Sequence, residues 1–281
     1  MLPMNKLKQI RGLTIEATHH AGAILAQDLP EALEDLEAVL ASFSIQKQEL
    51  IDAGGGQTTI TQRLRDALYA RQLKKRNITQ RHIISQGIKG EDLELPSESH
   101  EIDHVKSYPG GLLALEIEWN NKDPFLDRDL ENYRKLHLVG FLSVGVIVTR
   151  GATLQARLPE IFVEHYSRYT RIEDIECTLK QRAHIAKRLE VAQRKGKPLT
   201  VGQAAGAVLA ASKFGQATTH WDKLKVRVEE RALGKPCPLL LIGIEVEKVS
   251  DFDSSQVVEV GALPVDPEVV AEADGIEPES E

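Results

Sequence analysis

The chain has 281 residues, 42% of them hydrophobic and 27% charged, an ordinary globular composition that excludes whole-chain disorder and is long enough for one large domain or two small ones. No apolar run approaches the roughly 18 residues of a membrane span, and Lys6, Lys8 and Arg11 are followed by no apolar signal-peptide core, so the chain is expected to stay in the cytoplasm, away from membranes. Cys177 and Cys237 are the only cysteines and are far apart, which excludes a disulfide framework and a cysteine-rich zinc site.

The net charge of −7 is unevenly spread. After Pro264 come Asp266, Glu268, Glu272, Asp274, Glu277, Glu279 and Glu281 with no basic residue, so the tail accounts for the whole excess and residues 1–263 are neutral. Within that body, residues 63–89 hold eight lysines and arginines against Asp66 alone, and residues 180–197 hold seven against Glu190. Such stretches are either solvated helix faces or phosphate-binding surfaces.

In chain order, Leu33, Leu36 and Leu40 behind Pro30 predict a helix over 30–41. After Gly54-Gly55-Gly56, residues 58–77 read as one basic amphipathic helix, with Ile60, Leu64 and Leu68 inward, and 86–100 as a polar loop. Residues 101–150 then alternate strand, turn, strand, helix, strand: a strand over 112–119, a helix over 126–137, and a buried strand over 138–149. Helices follow over 173–195, 202–214 and 220–233, then a buried strand over 238–246 and a disordered acidic tail.

Pro109-Gly110 is a turn dipeptide between two strand patterns, so residues 101–118 can be tested as a hairpin. If those two residues form the loop, Tyr108 faces Gly111, and counting outward brings Asp103 opposite Glu116 and Glu101 opposite Glu118. A period of two then puts all four carboxylates on one face, with opposed Cβ atoms about 5 Å apart. Like charges so placed are destabilising unless a cation joins them or a pKa rises; the plain alternative is the wet face of an antiparallel sheet. The fitting cation is Mg²⁺, which takes a few carboxylates and keeps waters for chemistry. Acids in this arrangement suit metal-assisted phosphodiester hydrolysis, with Asp103 and Glu116 as metal ligands and Glu118 orienting or deprotonating the attacking water.

The stretch Glu101-Ile-Asp-His, the stretch Leu115-Glu-Ile-Glu-Trp-Asn-Asn-Lys-Asp-Pro-Phe-Leu-Asp-Arg-Asp-Leu130 and the stretch Gly145-Val-Ile-Val-Thr-Arg150 resemble the BglII-like and BamHI-like restriction endonucleases of the PD-(D/E)XK nuclease fold. Thr218-Thr-His-Trp221 and Cys237-Pro-Leu-Leu-Leu-Ile-Gly243 also look typical of BglII-like proteins. The resemblance implies an α/β fold with a mixed central sheet flanked by helices, in one domain over 1–263 whose catalytic core is about 100–150. It further implies a homodimer on double-stranded DNA, with Asp103, Glu116 and Glu118 as catalytic residues. Glu118 stands where most of the superfamily has lysine, which leaves the general base open. Asn120, Asn121, Lys122 and Arg150 are candidate DNA contacts, because such side chains read base edges or fix phosphates. His220 and Trp221 are weaker candidates for approaching the DNA or the active site, more readily explained as core or capping residues at a helix start, and His100 and His104 are weaker candidates for assisting the chemistry. The expected activity is Mg²⁺-dependent cleavage of both strands at a short specific sequence; the rivals are a structure-preferring repair nuclease and a DNA-binding protein without turnover.

Overall fold

The computed structural model describes residues 4–52, 58–85, 90–231, 236–253 and 260. The first part of the chain forms α1 (Met4–Gln9), β1 (Leu13–Ala17), α2 (Ala21–Gln27), α3 (Pro30–Ser42), α4 (Lys47–Ile51), α5 (Thr59–Ala70), β2 (Lys74–Gln80), β3 (Ile83–Ile84) and β4 (Leu93–Glu94). The rest forms β5 (Glu98–Tyr108), β6 (Gly111–Glu118), α6 (Asp123–Leu138), β7 (Val144–Arg150), α7 (Ala152–Tyr166), α8 (Leu179–Arg194), α9 (Val201–Phe214), α10 (Trp221–Glu230) and β8 (Leu239–Ile244). Six strands make a mixed sheet in the order β1-β8-β7-β6-β5-β2. The β6–β7 and β7–β8 pairs are parallel and the other three antiparallel, so the α/β architecture with a mixed central sheet is as expected.

The two faces of the sheet are covered differently. Leu113 and Leu115 of β6, with Val144, Val146 and Val148 of β7, point into a large core shared with α3, α5, α7 and α9. Leu112, Ala114 and Ile147 point the other way, onto Leu126, Leu130 and Tyr133 of α6 and Trp221 and Leu224 of α10. Each fully buried aliphatic side chain contributes about 1.5–3 kcal/mol, and α6 is held to the sheet by such a stripe. Gly145 is what lets Tyr133 lie flat on β7, because a Cβ there would sit 2.3 Å from the ring.

The structure moves several predicted boundaries. The helix expected over 58–77 stops at Ala70; Gln72 takes a left-handed φ of 65°, and Lys74–Gln80 becomes an edge strand beside β5. With Ile78 its only apolar residue, this strand shows neither helical nor strand periodicity, and pairing with β5 decides the matter. The helix before β7 runs to Leu138, and the strand begins only at Val144 after a left-handed Gly140. The helix expected from 173 starts at Leu179, where Thr178 and Gln181 form a capping box. The readings for residues 86–89, for 232–233 and for the acidic tail lie outside the described residues. Among the described residues no helix is long and apolar enough to cross a membrane.

Candidate active site

The hairpin forms in the expected register: Tyr108 pairs with Gly111 and the ladder runs out to His104 opposite Leu115. Gly110 permits the turn, since a Cβ would collide with the Asp28 carbonyl oxygen at 1.9 Å. Beyond His104 the two strands part. On its other side β5 pairs Val105 with Lys74 but Ile102 with Arg76, so Asp103 and His104 together oppose Lys75 in a bulge. This corrects the four-carboxylate face expected from simple alternation. Glu101 lies beyond the end of the β5–β6 ladder, pairs with Asn77 on the β2 side and is exposed, its carboxylate bonded to Lys75 Nζ at 2.8 Å. Asp103 remains beside Glu116, and its backbone N–H donates to Glu116 Oε1 at 3.3 Å.

Glu116 and Glu118 project from the end of β6 toward α6, where they meet Asp129, an acid on the same face of the helix as Leu126, Leu130 and Tyr133. All three carboxyl groups are buried, at 5%, 1% and 4% exposure. Glu118 Oε1 accepts from Asn121 Nδ2 at 2.9 Å, while Oε2 has no donor among the described residues. Burial first, then the neighbouring Asp129, holds the Glu118 carboxyl up at about 8. Burial, followed by Asp129, Asp103 and Glu118, pushes Glu116 well above the usual carboxylate range. Asp129 is also raised, mainly by burial and against the pull of Arg128. A proton shared among these acids, or a cation between them, is what makes the cluster tolerable.

His100 enters from β5: its Nε2 is 3.6 Å from Asp129 Oδ1 and 2.8 Å from Asn132 Nδ2, and burial lowers its pKa. Ligand atoms of His100, Glu116 and Asp129 all lie within 4.8 Å of one another, a spacing and donor set suited to a divalent ion. The residues present therefore fit a metal, but through a partly unforeseen set. Glu116 was expected, Asp129 was not, and Asp103 borders the trio, turning its carboxylate toward Lys75 and Arg65 at 3.6 and 4.0 Å. Asp129 had a sequence signal: it is the one acid among the inward positions 126, 129, 130 and 133 of an otherwise apolar stripe.

The loop after β6 carries the remaining candidates. Asn121 is exposed, and Asn120 and Lys122 are half-buried at the same mouth. Asn120 and Asn121 line a cleft of about 280 Å³ together with Thr58, Arg65 and Asp103. Arg150 departs from expectation. It is wholly buried at the end of β7, where its guanidinium donates to the Trp119 carbonyl, to Asn120 Oδ1 at 2.7 Å, to Thr218 Oγ1 at 2.8 Å and to Gln155 Oε1 at 2.9 Å. The loop carrying Thr218 closes over the strand end, so Arg150 holds the 119–122 loop from beneath instead of meeting a ligand. Thr219 completes the clamp, its N–H and hydroxyl both donating to the Asn121 carbonyl at 2.8 Å. Of the histidines, His104 is buried against Tyr69 and donates through Nδ1 to the Leu115 carbonyl at 3.1 Å, its pKa brought down to about 4 mainly by burial. His220 sits at the start of α10, also buried.

The family model described as restriction endonuclease BglII/BglIII matches residues 13–244, from β1 through β8. The chain belongs to the BglII/BglIII restriction endonuclease family. That membership makes it a nuclease of the DNA-cleaving class and agrees with the mixed sheet flanked by helices. No curated protein sequence matches the chain.

Proposed function

We propose that the chain is a Mg²⁺-dependent endonuclease that cuts both strands of double-stranded DNA at a short specific sequence. The observation that carries this reading is the set of buried acids at the end of β6, whose charges have too few donors to be a structural device. A bound Mg²⁺ supplies charge to polarise the phosphodiester and to ease proton loss from the attacking water. Glu116 would hold it, with Asp103 of β5 and Asp129 of α6 as the further carboxylate ligands and His100 next to Asp129. Glu118, fixed by Asn121, orients the water and takes its proton. Asn120, Asn121 and Lys122 meet the DNA from the loop after β6, with Arg150 and Thr219 holding that loop in shape. One acid cluster serves one phosphodiester, so cutting both strands calls for a second copy, and a two-fold homodimer matches a palindromic site.

The test is a digest of a phage genome with purified protein and Mg²⁺, followed by sequencing of the fragment ends. Discrete fragments sharing one terminal sequence are expected. Preference for branched substrates would instead indicate a structure-directed nuclease, and DNA binding without cutting would indicate a protein that has kept only the fold.

A further inference from the structure

The acid cluster raises a difficulty for its own substrate. A phosphodiester must approach Asp103, Glu116, Glu118 and Asp129, and only neighbouring cations can offset that repulsion before a metal is bound. Arg128 stands beside Asp129, and two further cations stand at Asp103, one on each of its oxygens. Arg65 reaches from the middle of α5, with Nη2 4.0 Å from Oδ2, and Lys75 reaches from the edge strand β2, opposite the bulge in β5, with Nζ 3.6 Å from Oδ1. Charge-assisted hydrogen bonds close at about 2.7–2.9 Å, so neither contact is a closed pair. Partly exposed ion pairs of this kind stabilise a fold little, which makes stability a poor reason for the arrangement. Glu101, bonded to Lys75 at 2.8 Å, fixes the ammonium at the rim. The adjoining cleft offers Thr58, Thr61, Asn120 and Asn121, and the indole N–H of Trp119, a lining residue only 2% exposed, has no acceptor among the described residues.

We propose that Arg65 and Lys75 form a metal-independent grip for a phosphate group at the mouth of the acid cluster, occupied in function by a backbone phosphate of the DNA. The proposal rests on the nuclease reading and adds to it a subsite on α5 and β2, outside the stretch that carries the metal ligands. It also gives a task to part of the basic stretch at 63–89, which forms no single helical face. The bulge at Asp103 is what allows it, because it sets Lys75 opposite Asp103 rather than opposite a backbone hydrogen-bonding partner.

The full chain is titrated with duplex DNA in EDTA across a salt series, for wild type, Lys75→Ala, Arg65→Ala, the double variant and Lys75→Arg. Each alanine should weaken binding about 3–10-fold and lower the slope of log K against log salt by about 0.9, the double variant by about twice that, while Lys75→Arg keeps the slope. A double variant with wild-type affinity and slope would overturn the grip. Lys75→Ala decides the matter alone should Arg65→Ala fail to fold. Inorganic phosphate, compared with chloride at equal ionic strength, separates a phosphate site from diffuse charge: displacement of DNA from wild type but not from the double variant is expected, and equal effects of the two anions on wild type would overturn it. Wild-type cleavage with Mg²⁺ runs alongside. No cutting by wild type removes the nuclease reading, whereas cutting by wild type with unchanged binding by the variants removes the grip alone.

Discussion

Among the described residues carboxylates are buried at three places, and in two opposite ways. At the far end of β5, Asp35 of α3 is 8% exposed and receives Lys106 Nζ at 2.5 Å and the Tyr108 hydroxyl at 2.9 Å, with Arg71 at 3.6 Å. Glu245, 7% exposed, is likewise surrounded by donors: the Thr14 hydroxyl at 2.5 Å, and the Thr153 N–H and hydroxyl at 2.8 and 2.5 Å. At the near end of β5, Glu116, Glu118 and Asp129 are equally buried but have fewer donors, the Asp103 N–H for Glu116, Asn121 Nδ2 for Glu118 and Arg128 Nε for Asp129, and they crowd one another. Desolvation without compensation costs several kcal/mol per charge, so the second arrangement persists only if something outside the chain completes it. Burial alone does not mark an active site; burial with missing donors does.

The comparison breaks most sharply by neutralising each region in turn. Glu116→Gln and Asp103→Asn should lower single-turnover cleavage by about a thousandfold or more, the scale on which transition-state charge stabilisation is lost, while DNA binding in EDTA stays level or tightens. Cleavage near the wild-type rate in either variant would remove the site assignment. Asp129→Asn tests the ligand that came from α6: its cleavage should fall by about a hundredfold and recover in part at higher Mg²⁺ or with Mn²⁺. A loss that no metal concentration restores would mean that Asp129 acts by shaping the site instead.

Asp35→Ala is the converse experiment. It leaves the Tyr108 hydroxyl without its acceptor and Lys106 with only the Arg71 carbonyl, and should destabilise the protein by about 2–3 kcal/mol in a denaturant titration, with cleavage per folded molecule unchanged. Loss of activity without loss of stability would show that the two ends of β5 are coupled.

The sequence carried the local part of this comparison and hid the non-local part. The turn at Pro109-Gly110 determines the β5–β6 register, so Asp103 beside Glu116 could be counted out from the turn alone. The bulge at Asp103 and His104 arises from pairing with β2, whose residues read as more helix, and the β5–β6 ladder stops at His104, so counting out from the turn overreaches at Glu101. Asp129 was visible in principle as an acid within an apolar stripe, but helical spacing does not say what the stripe faces. Arg150 looked like a strand end open to solvent; the Thr218 loop that buries it comes from 68 residues away in the chain.

A smaller effect sharpens the contrast through pH. The Glu118 carboxyl is held at about 8 in the folded protein against an ordinary 4.5. The folded state therefore binds the extra proton between those values, and stability without metal falls as pH rises from about 4.5 to 8. Glu118→Gln removes that penalty. Its thermal midpoint in EDTA should exceed wild type at pH 8.5, by roughly 2–4 °C for each kcal/mol recovered, and the gap should close near pH 5. A gap that persists at pH 5 would mean the gain comes from packing.

The smallest expected effect concerns the acidic tail. The seven carboxylates after Pro264 account for the chain's entire net charge and are spaced along the sequence with no basic residue between them. Their influence on DNA is long-range repulsion, which is screened over about 8–10 Å at ordinary ionic strength. Ending the chain at Leu263 should thus leave the cleavage sequence unchanged and tighten non-specific binding by about twofold at 50 mM salt, with no difference at 300 mM. The measurement is a competition between specific and random duplex at both salt concentrations. A shortened chain that cut at new sequences would show that the tail acts as more than spread charge, because screening alone cannot alter which bases are read.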